Sequence, residues 1–165
     1  MSRIDHPQTF FMYNGLLGLH SLFRWLILFL LLINLFRSLV EKGSPYTKAD
    51  LSWNLRLLIF THLTLVIGLY QYFFGPKGFA FFHNYTMSEI MKNGVLRFWA
   101  VEHITGMLIA VVLITISRGV AKKDIPALQK NKRLSILYAL ALLVILASVP
   151  WPFRFEDVPW FRGMY

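Results

Sequence analysis

Four apolar runs, each long enough to cross a lipid bilayer, leave this chain few ways to fold. A helix rises about 1.5 Å per residue and the hydrocarbon layer is roughly 30 Å thick. On that scale residues 12–36, 55–74, 98–117 and 134–149 read as membrane spans, the fourth short and upright. Composition agrees. Of the 165 residues 56% are hydrophobic, with Phe 15, Tyr 7 and Trp 5, too apolar and aromatic for an ordinary soluble domain. The longest connections, residues 37–54 and 75–97, are too short to build a core of their own. The predicted architecture is therefore an all-α integral membrane protein, one four-helix bundle over residues 1–165. The first run is expected to be retained. It is longer than a signal core, contains Arg24 and is followed by no small-x-small cleavage pattern after Phe36.

Basic residues set the expected orientation. Arg37, Lys42, Lys48 and Arg56 surround the first connection, and Arg118, Lys122, Lys123, Lys130, Lys132 and Arg133 the third. The opposite side carries Arg3, Lys77, Lys92, Arg97, Arg154 and Arg162. The positive-inside rule places the first and third connections in the cytoplasm and both termini on the outer side, which is the periplasmic side if the membrane is a bacterial inner membrane. The net charge of +9 then belongs to this bias and to anionic headgroups of the lipid bilayer, not to nucleic acid. The aromatic run at residues 78–93 is expected along the outer interface. The tail, with Trp151, Phe153, Phe155, Trp160 and Phe161, has the make-up of an aromatic belt.

Three histidines lie within the spans: His20, His62 and His103. Ionisable side chains at membrane depth are functional candidates by default. The absence of Cys excludes disulfides, thiolate metal sites, Cys-ligated clusters and covalently attached c-type haem. Measured from Arg37, Arg56 and Arg118 at about 1.5 Å per residue, His20 and His103 lie roughly 25 and 22 Å from the cytoplasmic edge, and His62 only about 9 Å. The first two are level; the third is on another floor. Two imidazoles at matched depth on facing helices meet the requirement of a six-coordinate haem iron. A three-histidine copper or zinc site needs convergence that His62 does not offer.

Neighbouring residues fit a flat cofactor. Gly15, Gly18 and Gly106 remove side chains near the histidines, although small residues also serve helix packing. Arg24 lies one turn from His20, and Glu102 adjoins His103. The two charges are expected either to pair with each other or to act separately, Arg24 on a propionate and Glu102 in proton transfer. Arg97 is a second propionate candidate. His62, with Thr61, Thr64, Tyr70 and Gln71 on its span, is a hydrogen-bonding group between helices, a quinone or proton site with Glu102, or a weaker metal candidate. His6 and His83 read as solvated or interfacial.

Several runs together resemble a known family: Tyr13-Asn14-Gly15-Leu16-Leu17 with Leu19-His20-Ser21-Leu22-Phe23-Arg24-Trp25, His62-Leu63 with Gly68-Leu69-Tyr70-Gln71, Arg97-Phe98 with Val101-Glu102-His103, Arg118-Gly119-Val120-Ala121-Lys122-Lys123, and Pro150-Trp151-Pro152-Phe153-Arg154. They are similar to small four-helix membrane proteins of Bacteroidota labelled cytochrome b or cytochrome b-like. The resemblance covers most of the chain, and its matching site positions are His20, Arg24, His62, Glu102 and His103. It implies a haem-binding membrane protein. The large respiratory cytochrome b carries paired histidines on two helices for two stacked haems, a pattern absent here.

The expectation is one haem b between His20 and His103, with Arg24, Arg97 and Gly106 beside it. Imidazoles on both axial positions leave no open site for oxygen, which describes an electron carrier or complex subunit more than a stand-alone enzyme. Quinol, a membrane or periplasmic redox subunit, or a second copy in a homodimer are the expected partners. The alternatives are a cofactor-free scaffolding subunit, or a quinone- or proton-handling protein using Glu102, His62 and Arg24.

Overall fold

The computed structural model describes residues 7–41 and 43–161, with side chains from residue 11 onward. His6, Arg3, Lys42 and Arg162 lie outside the described residues. Those described are helical with no strand among them, and four helices are long and apolar enough to cross a membrane. They are α1 (Pro7–Val40), α2 (Lys48–Phe74), α3 (Gly94–Lys122) and α4 (Ala127–Ser148). α1 packs on α2 and α4, and α3 on α4 and α2, so the helices form a closed ring of antiparallel neighbours.

The helices outrun the apolar runs because their first turns are polar. α2 starts at Lys48, not near residue 55, because Thr47 and Asp50 form a reciprocal cap. Asp50 N–H donates to Thr47 Oγ1 at 3.2 Å, and Thr47 N–H to Asp50 Oδ2 at 2.7 Å. Asp50 also receives Arg37 of α1 at 2.5 Å, which ties the two helices at this end. α4 likewise starts at Ala127, so its basic first two turns, with Lys130, Lys132 and Arg133, are helical although not apolar. Pro150 and Pro152 then stop it.

In a bilayer, lipid tails are as apolar as Leu, so packing and polar contacts select the inward face. Phe29, Phe36, Val66, Val112 and Leu143 accordingly point outward. Inside, at the end of the bundle where the α1–α2 and α3–α4 connections lie, sits a polar knot. Asn54 Nδ2 donates to Tyr138 Oη at 2.7 Å and to Ser117 Oγ at 3.2 Å, and its Oδ1 accepts from Arg118 at 3.3 Å. Arg118 also reaches the Leu51 carbonyl at 2.8 Å. Leu31, Leu57, Ile114 and Leu134 are fully buried around this knot.

The opposite end is irregular. Gly78, with φ of 76°, takes the left-handed turn that starts the α2–α3 connection, against the Tyr72 ring. The expected amphipathic run is a 3-10 turn (Gly78–Ala80), a helical turn (Phe81–Asn84) and a short helix (Met87–Lys92). Thr86 and Glu89 cap that short helix. The Thr86 backbone N–H and hydroxyl hold the Glu89 carboxyl below its usual range. Ile90, fully buried, anchors the segment. The tail beyond α4 folds back on the bundle: Phe155 packs on Phe98 at 4.5 Å, and Trp160 and Phe161 stack on Trp25. Phe153 and Phe161 remain 78% and 77% exposed, as a belt requires.

Candidate functional site

The irregular end surrounds a cavity of about 520 Å³, within the roughly 300–1,000 Å³ of small-molecule sites. Each helix and the tail contribute to its wall. His20 comes from α1 and His103 from α3, and their ring centroids stand 6.5 Å apart with the planes at 66°. The level placement expected from the sequence is the arrangement found.

Local structure explains how each ring is held. Behind His20 lies Gly68 of α2, where a Cβ would come within 3.1 Å of the imidazole Cε1, so glycine lets the ring lie against the helix. His103 follows a π-helical turn at Phe98–Glu102, in which its N–H bonds the Phe98 carbonyl. Such turns insert one residue into the helix and recur at functional sites. Tyr72 of α2 donates to the Ala100 carbonyl within this turn at 2.8 Å. His103 Nδ1 donates to the Ser148 carbonyl of α4 at 2.7 Å. That carbonyl belongs to the last turn, and the residue four positions on, Pro152, has no N–H to offer it. The hydrogen bond sets the His103 tautomer: Nδ1 carries the proton and Nε2 keeps its lone pair.

Four buried polar atoms among the described residues have no hydrogen-bond partner: His20 Nδ1, Arg24 Nε, Gln71 Nε2 and Trp99 Nε1. All four belong to residues that line this cavity. Each unpaired buried group costs about 1–3 kcal/mol, so their concentration here, and their completion elsewhere, marks the cavity as a place built for an occupant. Arg and Trp nitrogens donate only. The fitting occupant therefore carries acceptors.

The remaining sequence candidates lie variously. Arg24 lines the cavity while its Nη2 donates to the Trp160 carbonyl at 2.9 Å. The expected Arg24–Glu102 pair is replaced by others, because Glu102 turns outward to Arg97 at 2.6 Å and Arg154 at 3.4 Å. Arg97 is also bound to the Met91 carbonyl, and neither it nor Glu102 reaches the cavity wall. Gly106 faces Ser148, whose side chain a Cβ would overlap, so this glycine serves the approach of α3 to α4. His62 is exposed on α2 with Nδ1 on its own Leu58 carbonyl, away from the other two histidines. No group of three or more His, Asp or Glu suited to a metal ion occurs among the described residues. His83 is exposed beside Phe79.

Sequence reasoning missed Trp99, Lys77 and the tail residues Val158 and Pro159 as cavity wall, and Ser148 as the partner of His103. Trp99 carried a signal, since it stands four residues before His103, but the others depend on tertiary contact alone. Compared with known proteins, the chain matches no family model, no curated protein and no solved structure.

Proposed function

We propose that this is a membrane electron-transfer protein that holds one b-type haem between His20 and His103. The 6.5 Å between the two ring centroids carries the reading. Nitrogens about 2 Å from a shared iron, one on each side, put the two ring centres about 6 Å apart once half of each ring is added. The donor set fits as well. Ligating histidines characteristically give their other N–H to a carbonyl, as His103 does to Ser148, and the cavity that both histidines line has the volume of a ligand site.

Haem supplies reversible one-electron exchange when bound. The protein's residues would do the rest: His20 and His103 would hold the haem with their imidazoles and keep oxygen from it, Ser148 orients the His103 ring, Gly68 admits the His20 ring, and Ile27, Met107 and Ile145 would exclude water from the inner wall. The basic connections favour both termini and the cavity toward the outer face, and the proposed membrane is a bacterial inner membrane. There quinol or a redox subunit would exchange electrons.

The test is a reduced-minus-oxidised absorption spectrum of the purified protein and three variants. Sharp b-type bands in the native protein, lost in His20→Ala and in His103→Ala and kept in His62→Ala, are expected. A colourless protein after expression with ample haem contradicts the proposal and favours the scaffolding alternative. A colourless protein that retains an inhibitor-displaceable quinone favours the quinone site.

A further inference from the structure

We infer that the cavity is polarised along the bundle axis, so that the carboxylates of a bound tetrapyrrole lie toward the irregular end, where Gln71 and Trp99 donate to them. The inference rests on the haem reading above and adds which way round the group sits.

The two halves of the cavity wall differ in chemistry. Toward the centre of the bundle the wall is Ile27, Leu65, Met107, Ala110, Val111 and Ile145, and the hydroxyls of Thr61 and Thr64 there are spent on the Leu57 and Phe60 carbonyls of their own helix, which suits a hydrocarbon edge. Toward the irregular end it is Tyr13, Asn14, Gln71, Tyr72, Lys77 and Trp99. Gln71 is three residues beyond Gly68, which touches the His20 ring, and Trp99 is four residues before His103. Both therefore stand about one helical turn from the histidine level, on facing helices and on the same side of it. Both present buried nitrogens without partners. Lys77 adds positive charge there, its Nζ 4.3 Å above the Trp99 ring and paired with Asp157. Two unpaired donors at one level, beside a lysine whose charge is shared with Asp157 of the same wall, offer a carboxylate its hydrogen bonds.

Arg24 is the competing anchor, since its Nε is also unpaired and it lies one turn from His20 in the opposite direction. Its Nη2, however, is held by the Trp160 carbonyl at 2.9 Å and faces the Ser21 hydroxyl at 3.5 Å.

Competition between haem and its dimethyl ester, which lacks carboxylates, tests the orientation by absorbance titration of the purified protein. The native protein is expected to hold haem about tenfold more tightly than the ester, as befits one or two hydrogen bonds to charged groups. Gln71→Leu with Trp99→Phe should bring that ratio close to one while the two-histidine spectrum is retained. Gln71→Glu alone, a variant of nearly unchanged shape, should weaken haem and spare the ester, so the inference stays testable if the double variant does not fold. A ratio unchanged in these variants and abolished by Arg24→Leu overturns the orientation and leaves the haem reading intact. Failure of both porphyrins to give b-type bands overturns the haem reading, and the orientation with it.

Discussion

The two ends of the bundle handle buried polarity in opposite ways. Around Asn54 every hydrogen-bonding group has a partner, with Tyr138, Ser117, Arg118 and the Leu51 carbonyl closing on one another. Around His20 and His103, four buried polar atoms have none. In lipid, where water cannot compensate, the first pattern is what stability alone would select. The second is tolerated only where something else completes it. One end holds the helices together, and the other keeps donors ready.

The comparison is broken most severely at the closed end. Asn54→Leu removes three hydrogen bonds, takes from Tyr138 its Asn54 donor and leaves Arg118 the Leu51 carbonyl alone, at an expected cost of about 3 kcal/mol. Thermal unfolding in detergent should show it, with cofactor affinity in the surviving folded protein little changed. Gly106→Val forces α3 from α4 where Ser148 already fills the space. It should cost about 2 kcal/mol and, by moving the Ser148 carbonyl, loosen the proposed haem as well. A stability loss without weaker cofactor retention would uncouple Ser148 from His103.

Replacing polar by apolar should have the opposite sign at the open end. Gln71→Leu removes an unpaired donor and is expected to raise the stability of the cofactor-free protein by about 1 kcal/mol. Equal destabilisation at Gln71 and Asn54 would erase the distinction between the ends. The smallest effect is local. Thr86→Ala removes the hydroxyl donor to the Glu89 carboxyl and keeps the backbone N–H, so the Glu89 pKa should rise part of the way toward the ordinary value, measurable by NMR. Because that pKa is lowered in the folded protein, the stability it contributes is present above the unfolded pKa and fades as pH falls through the lowered one.

The sequence made the four spans legible because apolar runs of bilayer length have few other uses. It left the helix starts illegible, since Thr47-Asp50 and the basic turn before Leu134 are polar yet helical through capping and register with neighbours. The pair of level histidines was readable from depth alone. The partners of Glu102 were not: a π turn rotates this stretch, and the tail that brings Arg154 to it returns from 52 residues away. The tail's aromatic residues read as interface anchors, and Phe153 fits that description. Its further role as cavity wall, through Val158 and Pro159, emerges only when the chain folds back.

The most direct measurement is haem stoichiometry and spin state in the purified native protein, by pyridine haemochrome assay and low-temperature electron paramagnetic resonance. Ligation by His20 and His103 predicts one haem per chain with a low-spin ferric signal. A high-spin signal, or substoichiometric haem after full reconstitution, would contradict it.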